Sequence, residues 1–468
     1  MSKFLMILSL ALGALTLRAI VSLQNYSGYA KPPMFGDFEA QRHWQEITIN
    51  LPITEWYTNT TNNDLMYWGL DYPPLTAYHS WILGKVARFV NSSYVALHKS
   101  RGISSDEHKT FMRNTVLVAD LLLYIPALII ATNFICKGRP STLCYAVVLF
   151  YPGQILIDNG HFQYNNISLG LACLAIASIF KDLDRIAAVF FILALNYKQM
   201  ELYHAVPFFV YLLSRSFSSS GNQGRVSIFV NGLKNISILG LIVVGLFAVI
   251  WSPWLRSIDQ LKQVIQRIFP VARGVFEDKV SNVWCVVNVF YKLKVHFTNE
   301  QMAIVCLTCT FIAVLPSSIH LFFKPQKDNF LLSLINCSLA FFLFSFQVHE
   351  KTILLVTLPV MLYFNSEPLI SLWFLQIASF SMLPLLVLDQ LVWAYVSLTV
   401  IYLALIRLVL TLTMHSKQIL SPKWDVLSLK HIVDNELIIC LYYLSTFVGC
   451  ALLLFGQQFI KPPQKLPF

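Results

Sequence analysis

The chain has 468 residues, of which 56% are hydrophobic, 14% aromatic and only 12% charged, and its mean hydropathy is +0.61. A soluble fold cannot bury so much apolar surface, so the composition excludes a soluble enzyme and indicates repeated membrane-spanning segments. The net charge of +10 comes from small groups of Lys and Arg between apolar runs, a pattern that orients a membrane protein and argues against nucleic-acid binding.

The apolar runs predict an all-α polytopic membrane protein with about thirteen transmembrane helices, within a range of about 11–14. The runs lie at 4–23, 113–135, 141–157, 166–181, 185–197, 203–214, 226–251, 301–323, 329–346, 352–364, 368–384, 391–412 and 435–458. The first run continues past Arg18 and lacks a small-residue cleavage site, so we expect an uncleaved membrane helix rather than a signal peptide. Arg18 is expected to pair with a neighbouring helix rather than with substrate.

Basic residues recur in alternate short loops, as at Lys137, Arg139, Lys181 and Lys324, and this alternation predicts which loops face the cytosol. The opposite loops hold nearly every polar cluster and are predicted to face the lumen. They are the long loops 24–112 and 252–300, "DNGHFQYNN" (158–166), "NYKQMELYH" (196–204) and "FQVHEK" (346–351). The whole chain, 1–468, is predicted to form one integral-membrane catalytic domain.

The first long loop is predicted to contain two amphipathic helices that lie on the membrane surface. One follows from "GDFEAQRHW" and the other from "YWGLDYPPLTAYHS", where Pro73 and Pro74 are suited to starting a helix. On the first helix, Trp44 and Ile47 are expected to touch the bilayer.

The polar clusters beside the membrane indicate a site, because a charge among lipid-facing helices costs at least ~2.5–3.5 kcal/mol. Carboxylates supply a general base, and cations neutralise a phosphate leaving group. The sequence has no GxxxxGK[ST], HExxH or GxGxxG motif, which argues against a soluble nucleotide donor. No metal or other cofactor is predicted, because Asp37 and Glu39 point in different directions on a helix; the alternative is a divalent metal held by this pair.

Six stretches resemble the ALG6/ALG8 family, the dolichyl-phosphate-glucose-dependent α-1,3-glucosyltransferases of the endoplasmic reticulum. They are "YSGYAKPPMFGDFEAQRHWQEIT", "YWGLDYPPLTAYHS", "GHFQYN", "NYKQMELYHAVPFF", "RIFPVARGVFEDKVSNVWC" and "FFLFSFQVHEKTILL". The stretches "GDFEAQRHW" and "GVFEDKVSNVW" are more similar to the members that add the first glucose to Man9GlcNAc2-PP-dolichol. The alternative is the sibling enzyme that adds the second glucose.

The resemblance implies a multi-pass GT-C fold in the endoplasmic reticulum membrane, with a lumenal active site that serves N-linked glycan assembly. The implied partners are the dolichyl-phosphate-glucose donor, the lipid-linked oligosaccharide acceptor and membrane lipid, with no nucleic acid and no obligate protein partner. Relatives continue into another hydrophobic segment beyond the position of "KPPQKLPF". A secondary transporter is the rival class, which is disfavoured because no internal repeat is visible and the polar clusters lie at one surface.

The resemblance also implies residue roles. Asp37 occupies the position of the catalytic base, which takes the proton of the acceptor 3-hydroxyl during a single inverting displacement. His349 and Lys351 are suited to the donor phosphate, with Lys198 and Arg273 as further cations. The other predicted substrate-binding residues are Glu39, Arg42, His43, Asp71, Tyr72, His161 and Glu350.

Each secondary candidate has a structural alternative. Glu39, Arg42 and His43 would then solvate the outer face of their helix. Asp71 would cap its helix, and His161 would be a satisfied loop histidine. Lys198 would snorkel to the membrane surface, and Glu350 would pair with Lys351.

Overall fold

The computed structural model describes residues 3–136, 142–218, 224–269 and 280–415. Within these ranges the chain forms helices and contains no β-strand, which confirms the predicted all-α class. The α-helices in chain order are α1 (Lys3–Ser22), α2 (Gly36–Asn50), α3 (Pro74–Val90), α4 (Asp106–Ala119), α5 (Ile125–Ile135), α6 (Thr142–Leu149), α7 (Pro152–Ile155), α8 (Asn165–Phe180), α9 (Asp184–Tyr197), α10 (Leu202–Ser216), α11 (Arg225–Trp251), α12 (Ile258–Ile268), α13 (Val283–Phe290), α14 (Leu293–His296), α15 (Asn299–Phe323), α16 (Lys327–Phe344), α17 (Ile353–Tyr363), α18 (Pro368–Ser381), α19 (Leu383–Leu388) and α20 (Val392–His415). Short 3₁₀ turns lie at Ile53–Glu55, Ser92–Val95, Gln199–Glu201 and Glu350–Thr352, and π-helical turns at Asp120–Tyr124 and Leu156–Phe162.

Six helical segments of the described chain are long and apolar enough to cross a membrane, as expected for a polytopic protein. They are Lys3–Ser22, Asp106–Ile135, Arg225–Trp251, Asn299–Phe323, Lys327–Phe344 and Val392–Leu412. The other predicted apolar runs coincide with shorter helices, and the run at 141–157 is divided between α6 and α7 at Pro152. The predicted run at 435–458 lies outside the described residues.

The helices differ in how much of their surface is buried in protein. Helices α6, α8 and α17 are apolar on all sides and bury nearly their whole length, so they form the interior of the bundle. Helix α11 buries only Gly232 and Ile250, and its remaining apolar surface is suited to lipid. Helices α6, α8 and α17 are therefore central, while the long helix α11 is peripheral.

A buried ion pair joins α1 to the helical segment that begins with α4. Arg18 Nε lies 3.5 Å from Asp120 Oδ1, and both side chains are almost fully buried. Arg18 also donates to the Leu149 carbonyl (2.9 Å) and to Gln154 Oε1 (3.1 Å). The expectation that Arg18 pairs with a neighbouring helix is confirmed. An ionised side chain in a membrane requires such partners.

The two predicted helices of the first long loop are present as α2 and α3, but α2 does not lie on the bilayer. The expectation that Trp44 and Ile47 touch lipid is wrong, because they are 4% and 0% exposed. Both pack into an apolar cluster with Trp254 and Ile268 of the second long loop. The apolar face of α2 therefore packs against α12, where the sequence pattern predicted contact with the membrane.

Hydrogen bonds reinforce this packing between the two long loops. The Arg267 guanidinium donates to the Gly69 carbonyl at 2.8 Å, and Gln263 Nε2 donates to the Tyr57 carbonyl at 3.2 Å. Because side chains of α12 satisfy backbone groups of the first loop, the loops form one packed layer that positions α2.

Candidate active site

Asp37 lies in the first turn of α2, where the backbone is tightly constrained. Phe35 and Gly36 have φ values of 57° and 68°, and a Cβ on Gly36 would lie 2.6 Å from the Ser27 carbonyl group. Only glycine fits at that position. The Asp37 amide donates to Ser27 Oγ at 3.3 Å, so the start of α2 is fixed against the segment that follows α1. The positive end of a helix also favours a carboxylate.

Three donors converge on one oxygen of the Asp37 carboxylate. His161 Nε2 lies 3.0 Å and Gln163 Nε2 2.5 Å from Oδ2, and the Lys351 ammonium donates to the same atom. Oδ1 has no hydrogen-bond partner among the described residues, and the side chain is 23% exposed. One oxygen is therefore held, and the other is open to a ligand.

The charge of the Asp37 carboxyl is set by its neighbours. Burial alone raises its pKa, but the Lys351 ammonium and the hydrogen bond from His161 outweigh burial and hold the pKa well below its usual value. Asp37 is consequently ionised at neutral pH. A carboxylate of this kind can orient a hydroxyl group and accept its proton.

His161 links Asp37 to a second carboxylate. Its Nδ1 lies 2.5 Å from Asp389 Oδ2, and its side chain is 2% exposed. Burial and the Lys351 ammonium lower the pKa of His161, but the hydrogen bonds with Asp37 and Asp389 outweigh them and raise it. Both ring nitrogens of His161 thus have protein partners, as a satisfied loop histidine would, and its substrate-binding role stays a prediction.

The sequence interpretation missed Gln163 and Asp389. Gln163 lies in "GHFQYN", one of the stretches that carry the family resemblance, but the motif alone does not show what its side chain contacts. Asp389 is a lone acidic residue in the apolar stretch "LVLDQLVW". An isolated charge in such a run is the available signal for Asp389, because burial of that charge requires a partner.

Lys198 lies close to the same site and is 8% exposed. Its ammonium donates to Asn165 Oδ1 and lies 5.1 Å from the centre of the Tyr72 ring. Burial and the Lys351 ammonium lower the pKa of Lys198 to about 8. The snorkelling alternative is wrong, because the ammonium is enclosed by protein groups rather than extended to the surface.

Glu39, Arg42 and His43 form a separate buried cluster. Arg42 pairs with Glu39 at 2.5 Å and with Glu46 at 2.7 Å, and His43 Nδ1 lies 3.3 Å from Glu46. The alternative that these side chains solvate an outer face is wrong, because each is at most 2% exposed. None of them contacts the Asp37 carboxylate in the described structure, so their substrate-binding role stays a prediction.

The remaining predicted residues lie on two turns. Asp71 precedes α3, whose N-cap is Pro73, so Asp71 is not the cap of that helix. His349 is the N-cap of the 3₁₀ turn Glu350–Thr352, and its carbonyl accepts a hydrogen bond from Thr352 Oγ1 at 2.7 Å. This turn directs Lys351 toward Asp37. Arg273 lies outside the described residues.

No group of three or more His, Cys, Asp or Glu side chains suited to a metal ion occurs within the described ranges. Asp37 and Glu39 contact different partners, since Asp37 accepts from Lys351 while Glu39 pairs with Arg42. The two carboxylates do not converge on a common point.

Comparison with known proteins extends these observations. The sequence profile of the ALG6, ALG8 glycosyltransferase family matches residues 13–468. The chain is 54% identical to a probable dolichyl pyrophosphate Man9GlcNAc2 alpha-1,3-glucosyltransferase of Drosophila melanogaster, over 85% of this chain and 82% of the relative. A protein of Pongo abelii named dolichyl pyrophosphate Man9GlcNAc2 alpha-1,3-glucosyltransferase is 45% identical to this chain, over 100% of this chain and 92% of the relative. A protein of Saccharomyces cerevisiae with the same name is 40% identical, over 97% of this chain and 85% of the relative.

Proposed function

The chain belongs to the ALG6, ALG8 glycosyltransferase family, and on that premise we propose that it transfers the first glucose to Man9GlcNAc2-PP-dolichol in α-1,3 linkage. The proposed donor is dolichyl-phosphate-glucose. Membership of this family makes the chain a membrane glycosyltransferase. The observation that carries the proposed chemistry is the Asp37 carboxylate, which is held through Oδ2 and open at Oδ1.

Asp37 is the proposed catalytic base. Its ionised Oδ1 takes the proton of the acceptor 3-hydroxyl while that oxygen attacks C1 of the donor glucose. The bond between C1 and the phosphate oxygen breaks on the opposite face, so a β-linked donor gives an α-linked product. Dolichyl phosphate leaves with the bonding electron pair, and no covalent enzyme intermediate or cofactor is required.

Lys351 is the proposed contact of the donor phosphate. Its side chain is 18% exposed beside Asp37, and an ammonium stabilises the negative charge that develops on a leaving phosphate. As Lys351 turns toward the phosphate, Asp37 loses a cationic partner and its pKa rises toward the ordinary value. Donor binding thereby makes Asp37 a stronger base.

Further residues and the cellular setting belong to the same proposal. Lys198 and His349 are assigned to the donor phosphate, and Tyr72 and Glu350 to the walls of the site. Arg273 is kept as a predicted cation. We propose one catalytic domain in the endoplasmic reticulum membrane, with its long loops and its active site in the lumen, on the basis of the alternating basic loops.

The test is glucosyl transfer by the purified full-length chain. Dolichyl-phosphate-glucose is supplied with one of two lipid-linked acceptors, which bear either no glucose or one glucose on the nine-mannose glycan. The proposal expects transfer to the glucose-free acceptor only. Transfer only to the acceptor that already carries glucose would instead assign the chain to the second-glucose step.

Asp37→Asn tests the base in the same assay. It should lower kcat by at least about 1,000-fold while the variant still shows a cooperative thermal unfolding transition, because an amide cannot accept the proton. Asp64→Asn is the matched control, since Asp64 is exposed in the same loop and its Oδ1 contact to the Met66 amide can be kept by Asn. Normal turnover by Asp37→Asn would reject the assignment of the base.

A further inference from the structure

Asp389 lies behind the proposed catalytic carboxylate, in the turn between α19 and α20. Its side chain is 4% exposed, and its Oδ2 lies 2.5 Å from His161 Nδ1. The other ring nitrogen of His161, Nε2, lies 3.0 Å from Asp37 Oδ2. One imidazole therefore bridges two carboxylates that are far apart in sequence.

The turn that carries Asp389 is itself fastened to the segment that leads into Asp37. The Lys31 ammonium donates to the Leu388 carbonyl at 2.8 Å, and Asn25 Nδ2 donates to Gln390 Oε1 at 3.0 Å. Leu391 packs so closely that a Cβ on Gly160 would lie 3.0 Å from it. The position of Asp389 relative to His161 is thus determined by packing on several sides.

We propose that Asp389 is a positioning residue for glucosyl transfer and acts through His161. By accepting the Nδ1–H of His161, it fixes the imidazole ring with Nε2 directed at Asp37 Oδ2. The held Oδ2 in turn keeps Oδ1 directed at the acceptor hydroxyl. This inference rests on the proposed function, because it assigns Asp389 a part in the same reaction.

The charges around His161 determine how the site responds to pH. Asp37 faces it from α2, Lys351 from the turn before α17, and Asp389 from the turn before α20. Arg113 of α4 donates to the carbonyl of the adjacent Gly160 at 2.8 Å. Asp389 favours the imidazolium form of His161, so its removal leaves a less basic imidazole.

A double-mutant cycle tests whether Asp389 acts through His161. Asp389→Ala and His161→Ala should each lower kcat by at least about 10-fold, with the KM values of both substrates changed by less than about threefold. The double variant should match His161→Ala within about twofold, because no imidazole remains to be positioned. Multiplicative losses in the double variant would overturn the proposal.

Asp389→Asn supplies a second readout that a purely structural role would not move. The limb of the kcat–pH profile on which the His161 imidazolium loses its proton should shift to lower pH by about 1 unit. The reason is that the neutral amide of Asn stabilises the imidazolium less well than a carboxylate does. Asp389→Glu should restore part of kcat and the limb. Asp64→Asn, the exposed control of the transfer assay, should keep the wild-type kcat and profile.

The outcomes separate this inference from the proposed function. A wild-type chain that transfers no glucose in the assay would overturn both. An active wild-type chain, together with a folded Asp389→Asn variant whose kcat and pH profile are unchanged, would overturn only the role of Asp389. Unfolding midpoints measured on each variant distinguish lost positioning from lost folding.

Discussion

The Lys351 ammonium donates a hydrogen bond to Asp37 Oδ2, although 314 positions separate the two residues in the sequence. Lys351 comes from the turn before α17, and Asp37 from the first turn of α2. Their contact joins the first long loop to the end of a buried bundle helix. It also places the proposed phosphate contact and the proposed base in one site.

Lys351→Gln should weaken donor binding and change the pH dependence of transfer. The KM for dolichyl-phosphate-glucose should rise by at least about 10-fold, because a charge-assisted phosphate contact is lost. The pKa of Asp37 is depressed by Lys351, so removal of the ammonium raises that pKa, and the acid limb of kcat/KM should move to higher pH. Initial rates across a pH series measure both effects.

The matched control for this change is Lys324→Gln, which removes an exposed ammonium from one of the loops predicted to face the cytosol. Its KM and acid limb should equal those of the wild-type chain. A Lys351→Gln variant with the same behaviour as this control would show that Lys351 contacts neither phosphate nor base during turnover.

Gln163 is expected to contribute to catalysis through the orientation of Asp37. Gln163→Ala removes the donor that lies 2.5 Å from Oδ2 and should lower kcat by at least about 10-fold, because a hydrogen bond to a charged group contributes about 1.5–3 kcal/mol. Gln163→Glu places a second negative charge there and should lower kcat further, by more than about 100-fold, because like charges resist close approach. Equal kcat values for the two variants would contradict this electrostatic account.

Arg42 distinguishes a structural from a substrate-binding role for the cluster on α2. Arg42→Met leaves Glu39 and Glu46 buried without their cation, and loss of one partner from a buried ion pair costs about 3–5 kcal/mol. We expect a large fall in the thermal unfolding midpoint with little change in the acceptor KM of the folded fraction. Arg88→Met, at an exposed arginine that contacts Asn50, is the control with a nearly unchanged midpoint. An unchanged midpoint and a raised acceptor KM for Arg42→Met would favour direct substrate binding.

The ion pair between Arg18 and Asp120 should stabilise the bundle without taking part in turnover. Arg18→Met leaves the Asp120 carboxylate without its cation among buried groups and should lower the free energy of unfolding by about 3–5 kcal/mol. The double variant Arg18→Met/Asp120→Asn should recover part of this loss, because the uncompensated charge is gone. Chemical denaturation in detergent measures both values, and a double variant less stable than Arg18→Met would contradict the expectation.

Much of the fold was predictable because it depends on local composition. Each predicted apolar run within the described residues corresponds to helix, and α2 and α3 lie where the amphipathic patterns predicted them. The resemblance to the glucosyltransferase family is confirmed over residues 13–468. The packing partner of α2 was not predictable, because the sequence pattern of an apolar face at Trp44 is the same whether that face contacts lipid or the Trp254 cluster.

The candidate site was only partly predictable. Asp37 and Lys351 were singled out by the motifs around them, but the pattern did not show that they touch. Asp389 was missed because it stands alone in an apolar run and its partner, His161, lies 228 positions earlier. The charges of Glu39 and Arg42 predict a place in the site, whereas the fold pairs the two side chains with each other and buries both.

Composition and local motifs were enough to predict that this protein lies in a membrane, where its helices are and which family it belongs to, because hydrophobicity and motifs are properties of contiguous residues. Which polar side chains meet at Asp37, and which form buried ion pairs elsewhere, depends on how distant helices pack. Hydrogen bonds act over about 3 Å, and proximity on that scale between residues hundreds of positions apart arises only when the helices that carry them pack together.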